Sequence, residues 1–589
     1  MAPHPGRLSG SLRDTLAISI IIVISMTLRV QGVSLALALL YLMQRERPGL
    51  TFRVGLQILA GAAAACAMSF FWVQLTDGTE VFRFLGVMSC IFVSAFCMAG
   101  TTIPLFWTIL AFYGFVDLAG WDTHRSADAI VTSTLYNVAA LAIVVLCAGA
   151  VEYVFGTRHP AEDLSREMRK RISSLQSFLT ALAESTSTPD AEVARHHRSL
   201  IQYAHAGDLY LNELYDRLRD ATPDPSQLPL GLHYRIGLVG RMLNTCIVFG
   251  FRLPQSSTEE QREAYRIVAS LCDDLLHVRP LPQELFLPNE TPEPLREIGQ
   301  ELLEFGTIES PTTQAAEKPS RRPSASLSWN IFLPGVFDSP ATIFYALKLT
   351  LAATICYLIY NAFAWPGILT CVVTVLFTGL SSTGAMKQKQ LYRFSGAAIG
   401  GLLAILVVSL FYPNMDSITS LVIVVAPVAF LAGWVLRSQQ MSYIGVQIGF
   451  GFFLTALPGF SAATQITPAR DRVIGVGLGI LVMWFIFDQL WPIRTTDALH
   501  SSLNRIRHAT EELFQLLSKP EAERDPGAFQ RLRSAVSLEL VNVHQLGFSA
   551  NFEVGRHRKR ELARTRRLIS KIEHSSAEFY SAAMQGYRS

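Results

Sequence analysis

Ionisable side chains inside apolar segments are the first feature of this sequence that could support chemistry. Lys348 lies about two turns into an apolar run, and Glu152 and Asp488 each lie near the end of another run. A charge inside a membrane is costly, so such residues predict a functional role. A buried carboxylate can exchange a proton, and we predict Glu152 and Asp488 as a proton relay. An interfacial position for all three residues is the alternative.

A second group of residues has the chemistry to attract an anion. Trp365-Pro366-Gly367 begins a short apolar run, and the ends of short or broken spans present unpaired backbone groups to a ligand. Arginine and lysine near such ends add positive charge. The predicted substrate pathway is therefore Lys348, Trp365, Pro366, Gly367, Arg393 and Arg29. The alternatives are a re-entrant turn at the short run and a lipid-headgroup contact for Arg29.

Other motifs point to architecture. Gly379-Leu-Ser-Ser-Thr-Gly384 has the glycine spacing of a phosphate loop, but Ala385-Met386 stand where that loop needs Lys and Ser or Thr. We interpret it as a hinge between two spans. The glycine patterns at 445–451 and 475–479 predict close helix packing, and Arg470-Asp471-Arg472 predicts local pairing at a membrane boundary. The sequence contains no HExxH, GxSxG, complete Walker or kinase motif, so it predicts neither an enzyme nor a cofactor or metal.

The composition identifies the elements that must position these residues. Half of the 589 residues are hydrophobic, 16% are charged and the mean hydropathy is +0.31, which is typical of a membrane protein. The net charge of +3 is too small to indicate a nucleic-acid binder. The basic stretch 556–567 predicts a solvated helix face or contact with anionic lipid.

Apolar and polar blocks alternate along the chain. We predict an all-α integral membrane protein with a first transmembrane block at 1–155 and a second at 339–492, each of about six spans. A cytoplasmic helical domain is predicted at 156–306, a linker at 307–338 and a C-terminal cytoplasmic helical region at 493–589. The second span of each block is unusually short.

The two membrane blocks follow the same order of features. In each block a first span ends at a break, a short span ends in a basic loop, and a helix rich in small residues follows. The last span of each carries one carboxylate, Glu152 or Asp488. This order predicts an internal repeat. Lysine and arginine in the short loops predict that both termini and both polar regions are cytoplasmic.

Five segments of the second block carry a resemblance to a known family. They are Tyr345-Ala-Leu-Lys348-Leu-Thr-Leu-Ala, Trp365-Pro-Gly-Ile-Leu-Thr, Lys389-Gln-Leu-Tyr-Arg393-Phe-Ser-Gly396-Ala-Ala-Ile-Gly400, Arg470-Asp-Arg472-Val-Ile-Gly475 and Leu490-Trp491-Pro492. In this order they resemble the fusaric acid resistance family, which includes aromatic acid exporters. Ile24-Ser-Met-Thr-Leu28 and Arg437-Ser-Gln-Gln-Met-Ser-Tyr-Ile-Gly445 are more similar to its MdtO-type multidrug resistance branch.

The resemblance implies an inner-membrane efflux component that works with a periplasmic adaptor protein and an outer-membrane channel. Its expected substrates are aromatic carboxylic acids and amphipathic drugs or toxic compounds, and we expect export to be coupled to protons. A homo-oligomer is compatible with the sequence. Two other functions stay open: a passive organic-anion channel gated by the cytoplasmic helices, and a membrane scaffold or sensor.

Overall fold

The structure is a computed structural model of the whole chain, and it is described here for the following residues: 7–43, 48–76, 79–121, 126–156, 160–185, 191–221, 231–251, 253, 258–282, 284–307, 332, 336–337, 340–379, 383–438, 441–459, 463, 465–490, 495–518, 532, 535–536, 539–540, 542–543, 546–552 and 558–588. Most of the predicted linker 307–338, the tip of the hinge at 380–382 and Trp491 lie outside these residues. Within them, helices account for all regular structure except one bridge between Thr101 and Phe332.

The chain divides into two compact units. Residues 1–157 and 323–494 form the first, which contains both apolar blocks, and residues 158–322 and 495–589 form the second. The helices of the first unit are α1 Arg7–Leu28, α2 Val33–Met43, α3 Pro48–Thr76, α4 Glu80–Gly100, α5 Pro104–Gly120 and α6 Ala127–Phe155 in the first block, then α12 Pro340–Ala362, α13 Thr370–Thr378, α14 Thr383–Leu410, α15 Ile418–Leu436, α16 Ser442–Ala456 and α17 Thr467–Met483 in the second.

Eight helices in the described part of the chain are long and apolar enough to cross a membrane. Four apolar helices of the first unit are shorter: Val33–Met43, Pro104–Gly120, Pro366–Thr378 and Ser442–Ala456. The chain is thus an all-α, multi-pass membrane protein. Each block has the six apolar helices predicted, and the second is short as expected. The fifth helix of each block, Pro104–Gly120 or Ser442–Ala456, is also short.

The two blocks are packed into each other. Helix α1 of the first block packs on α15 of the second, and α12 of the second block packs on α4 of the first. The short helices meet in the same crossed way. Tyr41 of α2 stacks on Phe453 of α16, and Phe112 of α5 contacts Phe377 of α13 with 5.4 Å between ring centroids. One apolar core therefore extends through both blocks.

Two turns have the same geometry in the two blocks. Arg29 after α1 and Ala364 after α12 both adopt a left-handed conformation, with φ of 53° and 47°. In each turn the next amide donates to the carbonyl five residues earlier at 3.0 Å, which is a Schellman cap without glycine. Three residues after each cap, Gly32 or Gly367 lies so close to Asn137 or Asp471 that a Cβ would overlap that side chain.

The second unit is a helical assembly with its own core. It contains α7 Pro160–Glu184, α8 Ala191–Ala221, α9 Gly231–Phe251, α10 Glu259–Leu276, α11 Glu293–Thr307, α18 Thr495–Leu517 and α19 Arg558–Arg588. Leu175, Leu211, Val268 and Leu302 lie in one buried cluster, and Leu503 and Ile572 lie in another. These helices are strongly amphipathic, so burial of their apolar faces stabilises the unit.

Candidate functional site

Arg393 is a buried cation within a membrane-spanning helix. It is the eleventh residue of α14, roughly 15 Å along the helix axis, and its side chain is 1% exposed. Its Nε donates to Thr374 Oγ1 of α13 at 3.1 Å. Its Nη1 donates to two groups of α16, the Tyr443 hydroxyl at 3.3 Å and Gln447 Oε1 at 3.1 Å. Neutral oxygens of two other helices, α13 and α16, thus hold the guanidinium.

Two further cations lie near Arg393. Arg472 of α17 is 8% exposed, and its guanidinium lies 5.9 Å from the centroid of the Phe450 ring. Lys389 lies one turn before Arg393, with Nζ 5.1 Å from the centroid of the Tyr443 ring. The charge of Arg393 acts on both Arg472 and Lys389. We call Lys389, Arg393 and Arg472 the cation cluster.

The cation cluster has no acidic counterpart in the described part of the chain. The nearest carboxylate in sequence, Asp471, pairs with Arg470 at 2.8 Å, and the other ion pairs of the first unit involve different cations. Gln447 is 2% exposed, and its Nε2 donates to none of the described groups. Buried positive charge without a partner is destabilising, and a bound anion would offset that cost.

The lining of the cluster matches one class of anion. An arginine fork binds a carboxylate through two parallel hydrogen bonds, and the free amide of Gln447 adds a donor. Phe377 lies 5.7 Å from the Arg393 guanidinium, and it contacts Phe450 with 6.1 Å between ring centroids. Aromatic faces beside fixed cations suit a planar aromatic acid.

Glycines allow this geometry to form. A Cβ on Gly396 would lie 2.8 Å from the Ile444 carbonyl oxygen, and one on Gly451 would lie 3.0 Å from the Ala397 carbonyl oxygen. The α14 and α16 backbones therefore touch, which brings Arg393 within reach of Gln447. The close packing predicted for the 445–451 glycines is confirmed. On the other side, Gly479 of α17 lies against the Cys371 carbonyl of α13.

The predicted pathway residues fall into separate groups. Arg393 lies in the cation cluster, and Thr370, three residues after Gly367, donates to the Arg472 carbonyl at 3.4 Å. Pro366 starts a 3₁₀ turn that ends at Leu369, and Trp365 lies under Arg470 at 5.6 Å. Lys348 is buried in α12, and Arg29 is exposed in its turn. The pathway stays a prediction.

The two predicted relay carboxylates are ion-paired. Glu152, 1% exposed, lies 3.1 Å from Arg13 Nε, and Asp488 lies 3.0 Å from Lys387 Nζ. A cation beside a carboxylate stabilises its charged form. Their relay role stays a prediction. Neither position offers an unpaired carboxylate that would support it.

Sequence reasoning missed most of the cluster. Lys389 was interpreted as a basic loop residue, and Arg472 was expected to pair locally, but only Arg470 pairs with Asp471. Gln447 was read as part of a glycine packing face. The available signals were a polar amide inside an apolar helix and one more cation than carboxylate in Arg470-Asp471-Arg472.

Comparison with known proteins finds a family match and several relatives. Residues 342–585 match the model of the fusaric acid resistance protein family. The multidrug resistance protein MdtO of Shigella flexneri is 35% identical over 202 residues, as is MdtO of Escherichia coli (strain K12), and MdtO of Escherichia coli O157:H7 is 34% identical. Each alignment covers 34% of this chain and only 28% of the relative's length.

No solved structure matches this chain significantly. The resemblance predicted from the sequence motifs is confirmed: the chain is similar to the fusaric acid resistance protein family over residues 342–585 and to MdtO proteins over 202 residues.

Proposed function

We propose that this chain is the inner-membrane transport subunit of an efflux system, and that it exports aromatic carboxylic acids or other amphipathic organic anions and drugs. The cation cluster carries this proposal. Three cations around buried aromatic rings, with no acidic partner in the described residues, form a site that an aromatic anion would stabilise. The similarity to proteins named for multidrug resistance supports the same class of function.

Recognition would use both parts of the substrate. Its carboxylate would bind the Arg393 guanidinium and the Gln447 amide, while Lys389 and Arg472 raise the local positive potential. Its ring would pack on Phe377 and Phe450, both almost fully buried. An uncharged aromatic compound would gain only the packing of its ring on Phe377 and Phe450. The preference for anions would therefore come from the cations.

The assembly is part of the same proposal. A periplasmic adaptor and an outer-membrane channel would complete a tripartite system, and both termini and the second unit would be cytoplasmic. The lysines and arginines of the short loops support this orientation. Matching Schellman caps and crossed helix packing support duplication of one six-helix repeat. A homo-oligomer is compatible with the proposal.

Equilibrium binding tests the cluster directly. The purified full chain would be titrated with radiolabelled 4-hydroxybenzoate, for the wild type, for Arg393→Gln and for Arg470→Gln. Arg470 is the matched control because it is 61% exposed and paired with Asp471. We expect Arg393→Gln to weaken binding by more than about 30-fold, since loss of a buried charge partner costs about 2–5 kcal/mol. Arg470→Gln should change binding less than about threefold.

Equal binding by the wild type and Arg393→Gln would contradict the proposal, provided that both variants melt at similar temperatures. Flux into proteoliposomes then separates transport mechanisms. Accumulation that requires a proton gradient supports an exporter, after subtraction of the leak in protein-free vesicles. Equilibration without any gradient would indicate the passive channel instead, and binding without flux would indicate a sensor.

A further inference from the structure

Asp117 is a buried carboxylate that the proposed anion site does not use. It lies near the end of α5 in the first block, is 4% exposed, and its Oδ2 accepts no hydrogen bond from the described residues. Helix α5 ends only three residues later. The fold places it inside the first unit.

The other buried carboxylates of the first unit differ from Asp117 in having a cation. Asp14 pairs with Arg437, Glu152 with Arg13 and Asp471 with Arg470. Asp488, half-buried, pairs with Lys387. Within the described residues Asp117 has no such partner. It is therefore the membrane carboxylate whose charge the fold leaves uncompensated.

The surroundings of Asp117 are neutral on every packed element. Helix α5 packs against α3, α4, α6 and α13, and its Phe115 also contacts the uncharged rings of Tyr357 and Tyr360 of α12. Cys66 of α3, Cys90 of α4 and Tyr113 of α5 itself interact with Asp117, and all three are neutral at physiological pH. Asp117 therefore lies among thiols and aromatic rings, and none of these described neighbours carries a fixed charge.

Charged residues on the neighbouring helices do not act on Asp117. Among the described residues, Arg83 and Glu80 of α4, Arg53 of α3, Asp128 of α6 and Lys348 of α12 form no ion pair with Asp117, and its Oδ2 has no hydrogen-bond partner. Ionisation of an isolated carboxylate in such a place is costly, whereas the neutral acid is tolerated. The group is thus suited to hold a proton while buried and to release it when water reaches it.

We infer that Asp117 is the proton-binding residue through which a pH gradient drives anion export. This inference rests on the proposed function. In each cycle the carboxylate would take up one proton from the acidic side, forming an O–H bond, and release it to the other side when the pathway reopens. No other reactant is needed. The first block would carry the proton, and the second would carry the anion.

The test compares two modes of transport in proteoliposomes that contain the full chain. Exchange of radiolabelled 4-hydroxybenzoate against unlabelled 4-hydroxybenzoate, at equal pH, needs no net proton movement. Accumulation driven by a pH gradient does. For Asp117→Asn we expect exchange within about twofold of the wild type and a loss of more than about tenfold in gradient-driven accumulation. Asp488→Asn and Glu152→Gln are the matched carboxylate controls.

Gradient-driven accumulation that survives in Asp117→Asn would overturn the inference. The inference would also be overturned if Asp488→Asn or Glu152→Gln lost gradient-driven accumulation while Asp117→Asn kept it. That result would support the paired carboxylates as the relay. If the wild type shows neither binding nor exchange, the proposed function fails rather than the assignment of Asp117.

An infrared measurement keeps the inference testable if Asp117→Asn misfolds. The wild type at neutral pH should show a protonated-carboxyl band that moves in Asp117→Glu, a variant that retains the acid. Thermal melting of each variant would report its folding. Absence of any protonated-carboxyl band in the folded wild type would contradict the assignment directly.

Discussion

The two membrane blocks share one close approach of helices but place different side chains beside it. Gly61 of α3 lies against the Phe106 carbonyl oxygen of α5, and Gly396 of α14 lies against the Ile444 carbonyl oxygen of α16. A Cβ on either glycine would be 2.8 Å from that oxygen. The α3–α5 and α14–α16 pairs therefore have the same close approach of helices.

The side chains at these matched positions have opposite character. Three residues before each glycine stand Ile58 in the first block and Arg393 in the second. Three residues after each carbonyl stand Ile109 and Gln447. Ile58 and Ile109 are both completely buried, as an ordinary apolar core. The second block has a guanidinium–amide hydrogen bond of 3.1 Å in the same place.

This contrast separates architecture from function. The Schellman caps and the glycines that start the short helices occur in both blocks, so they are needed to build the bundle. The cation cluster occurs in the second block only, and Asp117 in the first. A polar group that the fold does not require, yet that is buried at a cost, is the better candidate for function.

The largest effect on binding should come from replacing Arg393 and Gln447 of the second block by the isoleucines that stand at the matched positions of the first block. In Arg393→Ile/Gln447→Ile we expect binding of 4-hydroxybenzoate to fall by more than about 100-fold, because the carboxylate loses its guanidinium partner. The melting temperature should hold or rise, since apolar replacement of a buried charge is often neutral or stabilising. Isothermal titration and thermal melting measure the two outcomes. Retained binding would mean that the cluster is only structural.

The paired carboxylates should differ in their contribution to stability. Glu152 and Arg13 are 1% and 6% exposed, whereas Asp488 and Lys387 are 17% and 14% exposed. Glu152→Gln leaves a fully buried cation unpaired and should cost about 3–5 kcal/mol of unfolding free energy. Asp488→Asn should cost about 1 kcal/mol. Denaturant unfolding of the full chain compares them, and equal losses would show that burial does not distinguish the pairs.

The two glycines at the start of the short helices should also differ. Alanine at Gly367 must displace Asp471, and alanine at Gly32 must displace Asn137 and also adopt a φ of 78°. We expect Gly32→Ala to lower the unfolding free energy by roughly 1–2 kcal/mol more than Gly367→Ala. Thermal unfolding of both variants measures this difference. A larger loss for Gly367→Ala would indicate that Asp471 is the more constrained side chain.

A pH effect of the second unit must be separated from any effect of Asp117. Burial raises the pKa of Glu301 from 4.5 to about 7, although Arg241 donates to it at 2.9 Å. The folded state therefore favours protonated Glu301. Its stabilisation is complete below pH 4.5 and is lost as the pH rises through about 7.

Between pH 5.5 and 8 the wild type should lose up to about 2 kcal/mol relative to Glu301→Gln, which cannot titrate. Thermal melting of the two proteins at both pH values measures this loss. The same pH dependence of melting in the wild type and Glu301→Gln would contradict this prediction. Any pH dependence of transport would then arise from residues other than Glu301.

Much of the fold followed from the sequence, and less of the site did. Long apolar runs and loop charges predict spans, because burial of backbone in lipid permits few alternatives. The crossed packing of the blocks depends on contacts hundreds of residues apart, such as Tyr41 with Phe453. The sequence predicts Arg393 only from its positive charge near a short span. Gln447, Arg472 and Asp117 were missed because only packing shows which polar groups lack a partner.

The most direct test of the account is a crystal structure of the full chain with 4-iodobenzoate, located by the anomalous scattering of iodine. We predict the carboxylate within hydrogen-bond distance of Arg393, with the iodinated ring against Phe377 or Phe450 in the second block. An empty cation cluster at saturating ligand, or iodine bound at the Ile58–Ile109 position of the first block, would contradict the account.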